Sequence, residues 1–565
     1  MNYKKSLIYS ALSLGLTFGV NAQGPAYSLN GLGRSIITNN SLGGTALESA
    51  TSTQTANISG YNLFDLQTNL DLDSTFNAKA ILRTRSPFGT AFGSQTAFEF
   101  RQFSMGGTVE GLKYELGDIR VELTPYTVYN SDIASTGFES DIFAERKEIL
   151  EYENFNEGNT WLLQGVSGQY GWNIGKEGGL GLYAFTTRTA SSNEFEVPDR
   201  LLSGGRLEYK VDNNIKIGIN EAAMYDLAVA TAEFDYSNYV TTGDFNYQRE
   251  TESAIVGFNT ELGGSMFSYT RNSDDVTQEY SDMMVDVDFG YTLKKSGIKF
   301  GVDFRRVGAT FFSPTAQTRR YNVNNNPTLF GKIEGADRGQ IYYDQFTDED
   351  VYNASILTTL DGFNQYFNNL NPFGDATPNR QVVGIEVATD TSVTGYEAAV
   401  NADFGQEIVG EGGDALRSFM VVKAGGVAKI GNLIGSKRLL NVSTGVRYEN
   451  TSRSEGAQVA LSSMLFDFGV TAEVVKKFDL LAGLKYFAAS GNEFMAVRDG
   501  FNLVTDFNAY DIDVNETIFS VGARIRFSEQ QAFSLNYNMA QFVNNNVENS
   551  GLNVGQLFFN YTGKF

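Results

Sequence analysis

The sequence predicts an all-β protein: one large antiparallel transmembrane β-barrel of about 18–22 strands, with short periplasmic turns and long extracellular loops. Three observations predict it. Segments of about ten residues alternate apolar and polar side chains along most of the chain, the period of a strand with one oily and one wet face. The connections between these segments alternate short and long. The wet faces carry Arg, Lys, Asp and Glu beside Gly, Ser and Asn, as a water-filled lumen does; a soluble sandwich or propeller requires neither feature.

The elements follow in chain order. Residues 1–22 read as a secretory signal peptide. Lys4 and Lys5 precede an apolar run from Leu7 to Val20, and Val20-Asn21-Ala22 forms the cleavage site. That run falls short of the roughly 20 residues a membrane helix needs, and no later stretch approaches it. Residues 23–95 are rich in Ser, Thr, Asn and Gly, with weaker alternation around 64–72. They are weighed as a plug, because a lumen this wide stands open unless filled, against an extra hairpin or a periplasmic leader. Residues 96–565 are assigned to the barrel.

Within the barrel the hairpins are explicit. Val285, Val287, Phe289, Tyr291 and Leu293 lead into a turn at 294–297, and Ile298, Phe300, Val302 and Phe304 lead out. Other short polar turns are expected at 176–179, 212–214, 476–479 and 529–531. Long connections are expected at 451–461, 491–515 and, longest of all, 308–379. About 19 alternating segments follow Gln164, with one more near 121–129. Near the end, Leu557, Phe559, Tyr561, Gly563 and Phe565 alternate with Gln556, Asn560, Thr562 and Lys564, and Phe558 alone breaks the pattern.

Composition excludes several functions. The net charge is -23, and removing Lys4 and Lys5 with the signal takes it to -25. Such acidity disfavours nucleic acid, which is held by cations on phosphates. The chain has no cysteine and no histidine. It therefore has no disulfide, no Ser-His or Cys-His pair, no histidine base and no histidine-ligated zinc. With 66 acidic residues, a close carboxylate pair carries no signal of glycoside hydrolysis. The chain is read as no enzyme and as holding no cofactor.

Candidate lumen-wall charges are Arg305, Arg447, Arg524, Arg526, Asp303, Asp467 and Glu473. They face the wet side and suit either a charged constriction or a wall stiffened by internal pairs. Arg306 falls outside the polar series. Asp511, Asp513 and Asn515 in "DIDVNE" have the alternate spacing of a calcium loop, but the sixth position is Glu516 where the loop needs Gly. Acidic clusters at Asp344, Asp348, Glu349 and Asp350, and at Asp274, Asp275, Glu279 and Asp282, read as solvated loops that suit cations bridging lipopolysaccharide.

The final strand resembles the C-terminal signal of Gram-negative outer-membrane β-barrel proteins, carried here by Leu557, Phe559, Tyr561 and Phe565. The resemblance implies an outer-membrane location, recognition by the barrel assembly machinery, and contact with outer-membrane lipid and lipopolysaccharide. The stretch "GLGRSIITNNSLGGTALESATSTQTANISG" resembles the N-terminal segment of the long-chain fatty-acid transporter family of outer-membrane barrels. Asn57-Ile58-Ser59-Gly60 stands where that family has Asn-Pro-Ala-Gly, and the likeness implies a plug more than a fatty-acid substrate. Two functions are expected from this reading. One is a pore or channel for small solutes or a hydrophobic ligand. The other is a surface scaffold, or an adhesion or secretion component, whose long loops bind a surface protein partner.

Overall fold

The structure is a computed structural model. It describes residues 26–48, 50–51, 55–73, 75–89, 95–131, 135–154, 158–193, 197–229, 232–273, 276–318, 320–321, 352–353, 356, 360, 368–389, 396–499 and 502–565. The proposed signal peptide lies outside these residues.

Twenty-two strands form one antiparallel sheet closed on itself. They are β1 (Ala26–Gly43), β2 (Ala56–Asp73), β3 (Phe76–Pro87), β4 (Ala97–Val109), β5 (Leu112–Val121), β6 (Trp161–Ile174), β7 (Gly178–Ala190) and β8 (Arg200–Lys210). Then come β9 (Ile215–Asp226), β10 (Phe234–Glu250), β11 (Ala254–Arg271), β12 (Val276–Leu293), β13 (Ile298–Val307), β14 (Arg380–Thr389) and β15 (Tyr396–Gln406). The circle ends with β16 (Ser418–Lys429), β17 (Leu440–Arg453), β18 (Val459–Val475), β19 (Phe478–Arg498), β20 (Val504–Arg526), β21 (Gln531–Asn544) and β22 (Leu552–Lys564). β1 pairs with both β2 and β22, from Leu32↔Lys564 to Gly43↔Asn553. Closure leaves no strand edge.

Phe565 finishes that seam. Its backbone exchanges hydrogen bonds with Gly31 at 2.9 and 3.1 Å. Its ring crosses the glycine and stacks on Phe64 of β2, centroids 5.7 Å apart. A Cβ at Gly31 would stand 2.5 Å from that ring and 2.4 Å from the Asp65 carbonyl oxygen. Only glycine leaves the crossing clear.

The wall is oily outside and polar inside. Along β18 the outward Met464 and Phe468 are exposed, while the inward Ser463, Asp467 and Thr471 are buried. Soluble proteins bury their apolar side chains and expose their charges; this wall exposes large apolar side chains and buries charged ones such as Asp467 and Lys485, as a barrel in lipid does. The wall strands are mostly 10–18 residues long, with β19 and β20 longer at 21 and 23, enough for a tilted crossing.

Three expectations are corrected. Residues 23–95 are no separate plug: where described they are β1, β2 and β3 of the wall. Small polar residues such as Ser35, Ser41, Gly60 and Asn62 on the outer face, opposite Leu32, Ile36, Leu42 and Leu63 on the lumen face, weaken the alternation without ending the strands. Among the described residues seventeen wall strands lie from Trp161 onward, and the segment 121–129 supplies no wall strand of its own, since β5 ends at Val121. The stretch 491–515 is no long loop, since β19 runs to Arg498 and β20 starts at Val504.

Both termini of the described chain and ten connections lie at one end of the barrel. These include the expected turns, observed at 175–177, 211–214, 294–297, 476–477 and 527–530. The other end carries eleven connections. Two of them, 122–160 and 308–379, are much the longest.

Candidate functional site: a filled and polarised lumen

The described parts of both long connections turn inward. The first contains a helix, α1 (Asp141–Asn154). The Ser140 carbonyl accepts the Phe143 and Ala144 amides at 3.0 and 2.9 Å and starts it. Ile142 and Phe143 pack against Leu481 and Ile518 of the wall, and Ile149 packs against Ile36 and Phe558. Inward glycines make the seat. A Cβ at Gly483 would meet Ile142 at 2.6 Å and one at Gly469 would meet Ser140 at 2.1 Å. At Gly425 it would meet Phe138 at 2.6 Å, and at Gly445 Thr136 at 2.6 Å. Phe558, the residue that breaks the alternation of β22, is fully buried under the helix, with the Arg146 guanidinium 3.8 Å above its ring.

Polar contacts hold the helix at both ends. At its start Asp467 accepts the Ser140 amide at 3.0 Å and pairs with Lys485 at 3.2 Å. Lys485 also pairs with Glu139. The Asp141 carboxylate accepts the Thr471 hydroxyl at 2.7 Å. At its far end Tyr152 and Glu153 enter a cluster of wall arginines. Arg34 of β1 pairs with Glu153 at 2.5 Å and Tyr61 of β2 donates to it at 2.7 Å. Arg83 of β3 is bidentate on Asp65 and also donates to the Glu153 carbonyl at 3.0 Å. Arg101 of β4 donates to the Tyr152 carbonyl and lies 4.1 Å over its ring. The Tyr152 hydroxyl donates to Asp65 at 2.6 Å. Burial and that carboxylate push the Tyr152 hydroxyl up to about 12.

The described ends of the second connection enter the lumen from the loop end. Residues 316–318 pair in parallel with 129–131, joining the two insertions. Trp161 donates to the Thr315 carbonyl at 2.8 Å, and Phe311 packs with Tyr126, Met284 and Val307. The 368–371 corner is held by ions and amides: Glu449 accepts the Leu370 amide at 3.0 Å, Glu493 accepts the Asn369 side chain at 2.6 Å, and Arg380 donates to the Leu370 carbonyl at 3.0 Å. Arg417, in the connection after β15, gathers Glu407, Glu411 and Glu493 within 3.2 Å. Burial lowers its proton affinity, and the three carboxylates more than offset that, so the balance is upward. The described ends of the 308–379 loop are therefore buried in the barrel. Its cluster at Asp344 to Asp350 lies outside the described residues.

The sequence-derived candidates divide among three places. Arg305 pairs with Asp375 of the second insertion and donates to Asn371 at 3.0 Å. Asp303 lies on the same strand, across from Asp288 and Gly384. Arg447 pairs with Glu449 at 2.5 Å and donates to Asn368 at 3.1 Å. Asp467 serves the start of α1. Arg524 and Arg526 share Asp479 at 3.1 and 2.8 Å, and Arg526 reaches Glu473 at 3.0 Å, all near the turn end. The arginines lie on β13, β17 and β20 and form no single ladder. Arg306 is exposed on the outer face. Asp511, Asp513 and Asn515 lie within β20, so "DIDVNE" is strand and forms no calcium loop. Among the described residues no acidic group is arranged to hold a metal ion.

The arginine cluster of β1–β4 was not singled out from the sequence. Its signal was present: Lys79, Ile81, Arg83 and Arg85 alternate with Ala80, Leu82, Thr84 and Ser86. Half the circumference away, β10–β15 present Asp244, Glu261, Asp286, Asp288, Asp303 and Asp403 to the lumen, with Arg305 among them. One wall is thus rich in arginine and the opposite wall rich in carboxylate. Below α1, at the turn end, lies a vestibule of about 1150 Å³. Asp141, Glu145 and Glu148 of the helix form its floor, and Lys437, Arg438, Lys476, Lys477 and Lys564 are on its rim.

No family model and no curated protein matches the chain. Solved structures do. OccAB4 of Acinetobacter baumannii is 8% identical, with 96% of this chain and 99% of that chain covered and a TM-score of 0.36. OccK11 (OpdR) of Pseudomonas aeruginosa is 9% identical over 97% and 100%, at 0.37. OccD3 (OpdP) of Pseudomonas aeruginosa is 11% identical over 97% and 93%, at 0.36. Strand number, lumen filling and charge layout here belong to this chain's own geometry.

Proposed function

We propose that this chain is an outer-membrane channel for small polar solutes, gated by its own two inward-folded connections. The polarised lumen carries the reading: arginines on β1–β4 face carboxylates on β10–β15 across the barrel. A transverse field of this kind orients dipolar and charged solutes and selects among them. A lumen lined by so many charges suits polar cargo better than a hydrophobic ligand. The short-turn end faces the periplasm and the long-loop end the cell exterior, by the usual asymmetry of such barrels. The vestibule below α1 is then the periplasmic exit. Leu557, Phe559 and Tyr561 lie in the outward series of β22, where assembly machinery and lipid reach them, and lipopolysaccharide surrounds the outer rim.

The test is conductance of the refolded mature chain in a planar bilayer, with and without residues 139–154 replaced by a flexible Gly-Ser linker. The full chain is expected to conduct little and the replaced chain strongly, with matching solute entry in liposome swelling. A folded, helix-less barrel that neither conducts nor admits solute would overturn the channel.

A further inference from the structure

We infer that the arginine cluster of β1–β4 is a binding site for small carboxylate solutes, and that Glu153 occupies it as a built-in competitor whose displacement frees α1. The inference rests on the channel reading above and names its substrate class.

The helix end is built against its own electrostatics. The last turn of α1 has no basic side chain and carries Glu151 and Glu153, although the C-terminus of a helix disfavours negative charge. The wall corrects this. Arg83 and Arg101 donate to the carbonyls of Glu153 and Tyr152, so guanidinium groups from two strands satisfy carbonyls of the last helical turn. Arg34 and Tyr61 bind the Glu153 carboxylate in the manner of a bound ligand, with the side chain almost wholly buried. The same donors that dock the helix are therefore the ones a free carboxylate would use, and planar guanidinium favours carboxylate in paired geometry.

Access and coupling follow from the same contacts. Arg85 and Arg101 are only partly buried at the cluster's margin. A carboxylate that engages Arg34 and Arg101 takes a partner from Glu153 and a cap from the helix. A 14-residue helix is marginal in water without its contacts, so loss of this latch loosens the whole insertion. The ligand shifts the equilibrium by its preference for the vacated cluster.

The experiment reads the helix and the pore separately. The chain has no cysteine, so Glu148→Cys on the vestibule floor takes one nitroxide label. In the refolded full-length barrel, succinate is expected to mobilise the label, while chloride at equal ionic strength leaves it immobile. Glu153→Gln is expected to lower the half-maximal succinate concentration about tenfold, the scale of one hydrogen bond to a charged group. Arg101→Gln, at the cluster's margin, is expected to raise it by a similar factor. Inorganic phosphate distinguishes carboxylate preference from general anion binding: equal potency would overturn the stated class. A label that ignores succinate in the wild type, or Glu153→Gln and Arg101→Gln variants whose response matches the wild type, would overturn the site. Label release without conductance would uphold the site and remove the channel.

Discussion

Replacing Phe558 by alanine separates the two faces of β22. Phe558 points into the lumen, fully buried beneath α1, against Ile36 and Ile149 and under the Arg146 guanidinium. Its neighbours Leu557 and Phe559 belong to the outward series. Truncating a buried phenylalanine costs about 3–5 kcal/mol, and the cation–π contact is part of that loss. The cost here falls on the seat of the helix, because the inter-strand hydrogen bonds of β22 are backbone and survive. Taking about 3 kcal/mol raises the undocked population of α1 roughly a hundredfold. Trypsin reports it. Arg146 and Lys147 lie within the docked helix, and cleavage of a transiently opened segment tracks its open population. Appearance of the fragments ending at residues 146 and 147 should accelerate by one to two orders of magnitude in Phe558→Ala, with the barrel still heat-modifiable on a gel. Phe559→Ala should leave that rate at the wild-type value. A Phe558→Ala rate within about threefold of wild type would refute the seat, since it would assign the buried ring less than 1 kcal/mol.

Other consequences are checked by similar means. Gly31→Ala places a Cβ against the Asp65 carbonyl and the Phe565 ring, and overpacking at the seam should lower barrel stability by about 1–3 kcal/mol in urea unfolding from lipid vesicles. Lys485→Met strands Asp467 and Glu139, and removing one member of a buried ionic cluster should cost about 3–5 kcal/mol of docking, read as faster cleavage after Lys147. Adding Asp467→Asn should recover part of that loss. Burial and then Glu145 raise the Glu148 carboxyl on α1. A group raised in the docked state binds its proton more tightly there, so docking should strengthen as pH falls towards the raised value and weaken as pH rises through it. The nitroxide label, placed at Lys147 for this purpose, should be less mobile in mildly acidic buffer than at neutral pH.

The wall was legible because lipid and lumen impose a period of two on every strand. The contrast weakens where the outer face is small and polar and the lumen face carries apolar side chains. Ser35, Ser41, Gly60 and Asn62 face outward while Leu32, Ile36, Leu42 and Leu63 face the lumen, so β1 and β2 lack the sequence contrast of an oily outer and a wet inner face. The filling was illegible for a different reason. Residues 141–154 carry a helical pattern, with Ile142, Phe143, Ile149 and Leu150 on one side and Lys147 pairing with Glu151 at 3.7 Å. Nothing local says that this helix folds into a barrel. That information lies in the glycines of β16–β19 and in the arginines of β1–β4, far away in sequence. The inward charges were readable as inward, but their partners were not. Asp375 for Arg305 and Asn368 for Arg447 come from a loop that reads as surface.

The placement of the filling follows from the closure of the wall. β1 must pair with both β2 and β22, so the N-terminal residues are committed and cannot also fill the lumen. A 22-stranded circle is wide enough to need filling, and the long connections remain to supply it. Apolar clusters seat the start of α1 and the second insertion, whereas the far end of α1, at Tyr152 and Glu153, is attached to the wall by ions and hydrogen bonds. Buried ion pairs fix position sharply yet add little net free energy, because desolvation consumes most of the attraction. A helix end held this way is accurately placed and loosely bound. Any solute that satisfies the same arginines meets a small barrier to exchange, whereas an apolar plug of equal area would have to be pulled out whole. The distinction is measurable. Raising ionic strength should loosen α1 at the partly exposed arginine end before it affects the apolar seat, so salt should mobilise a label at Glu148 in wild type and add little in Glu153→Gln. Equal salt sensitivity in both would place the weak point of the filling elsewhere.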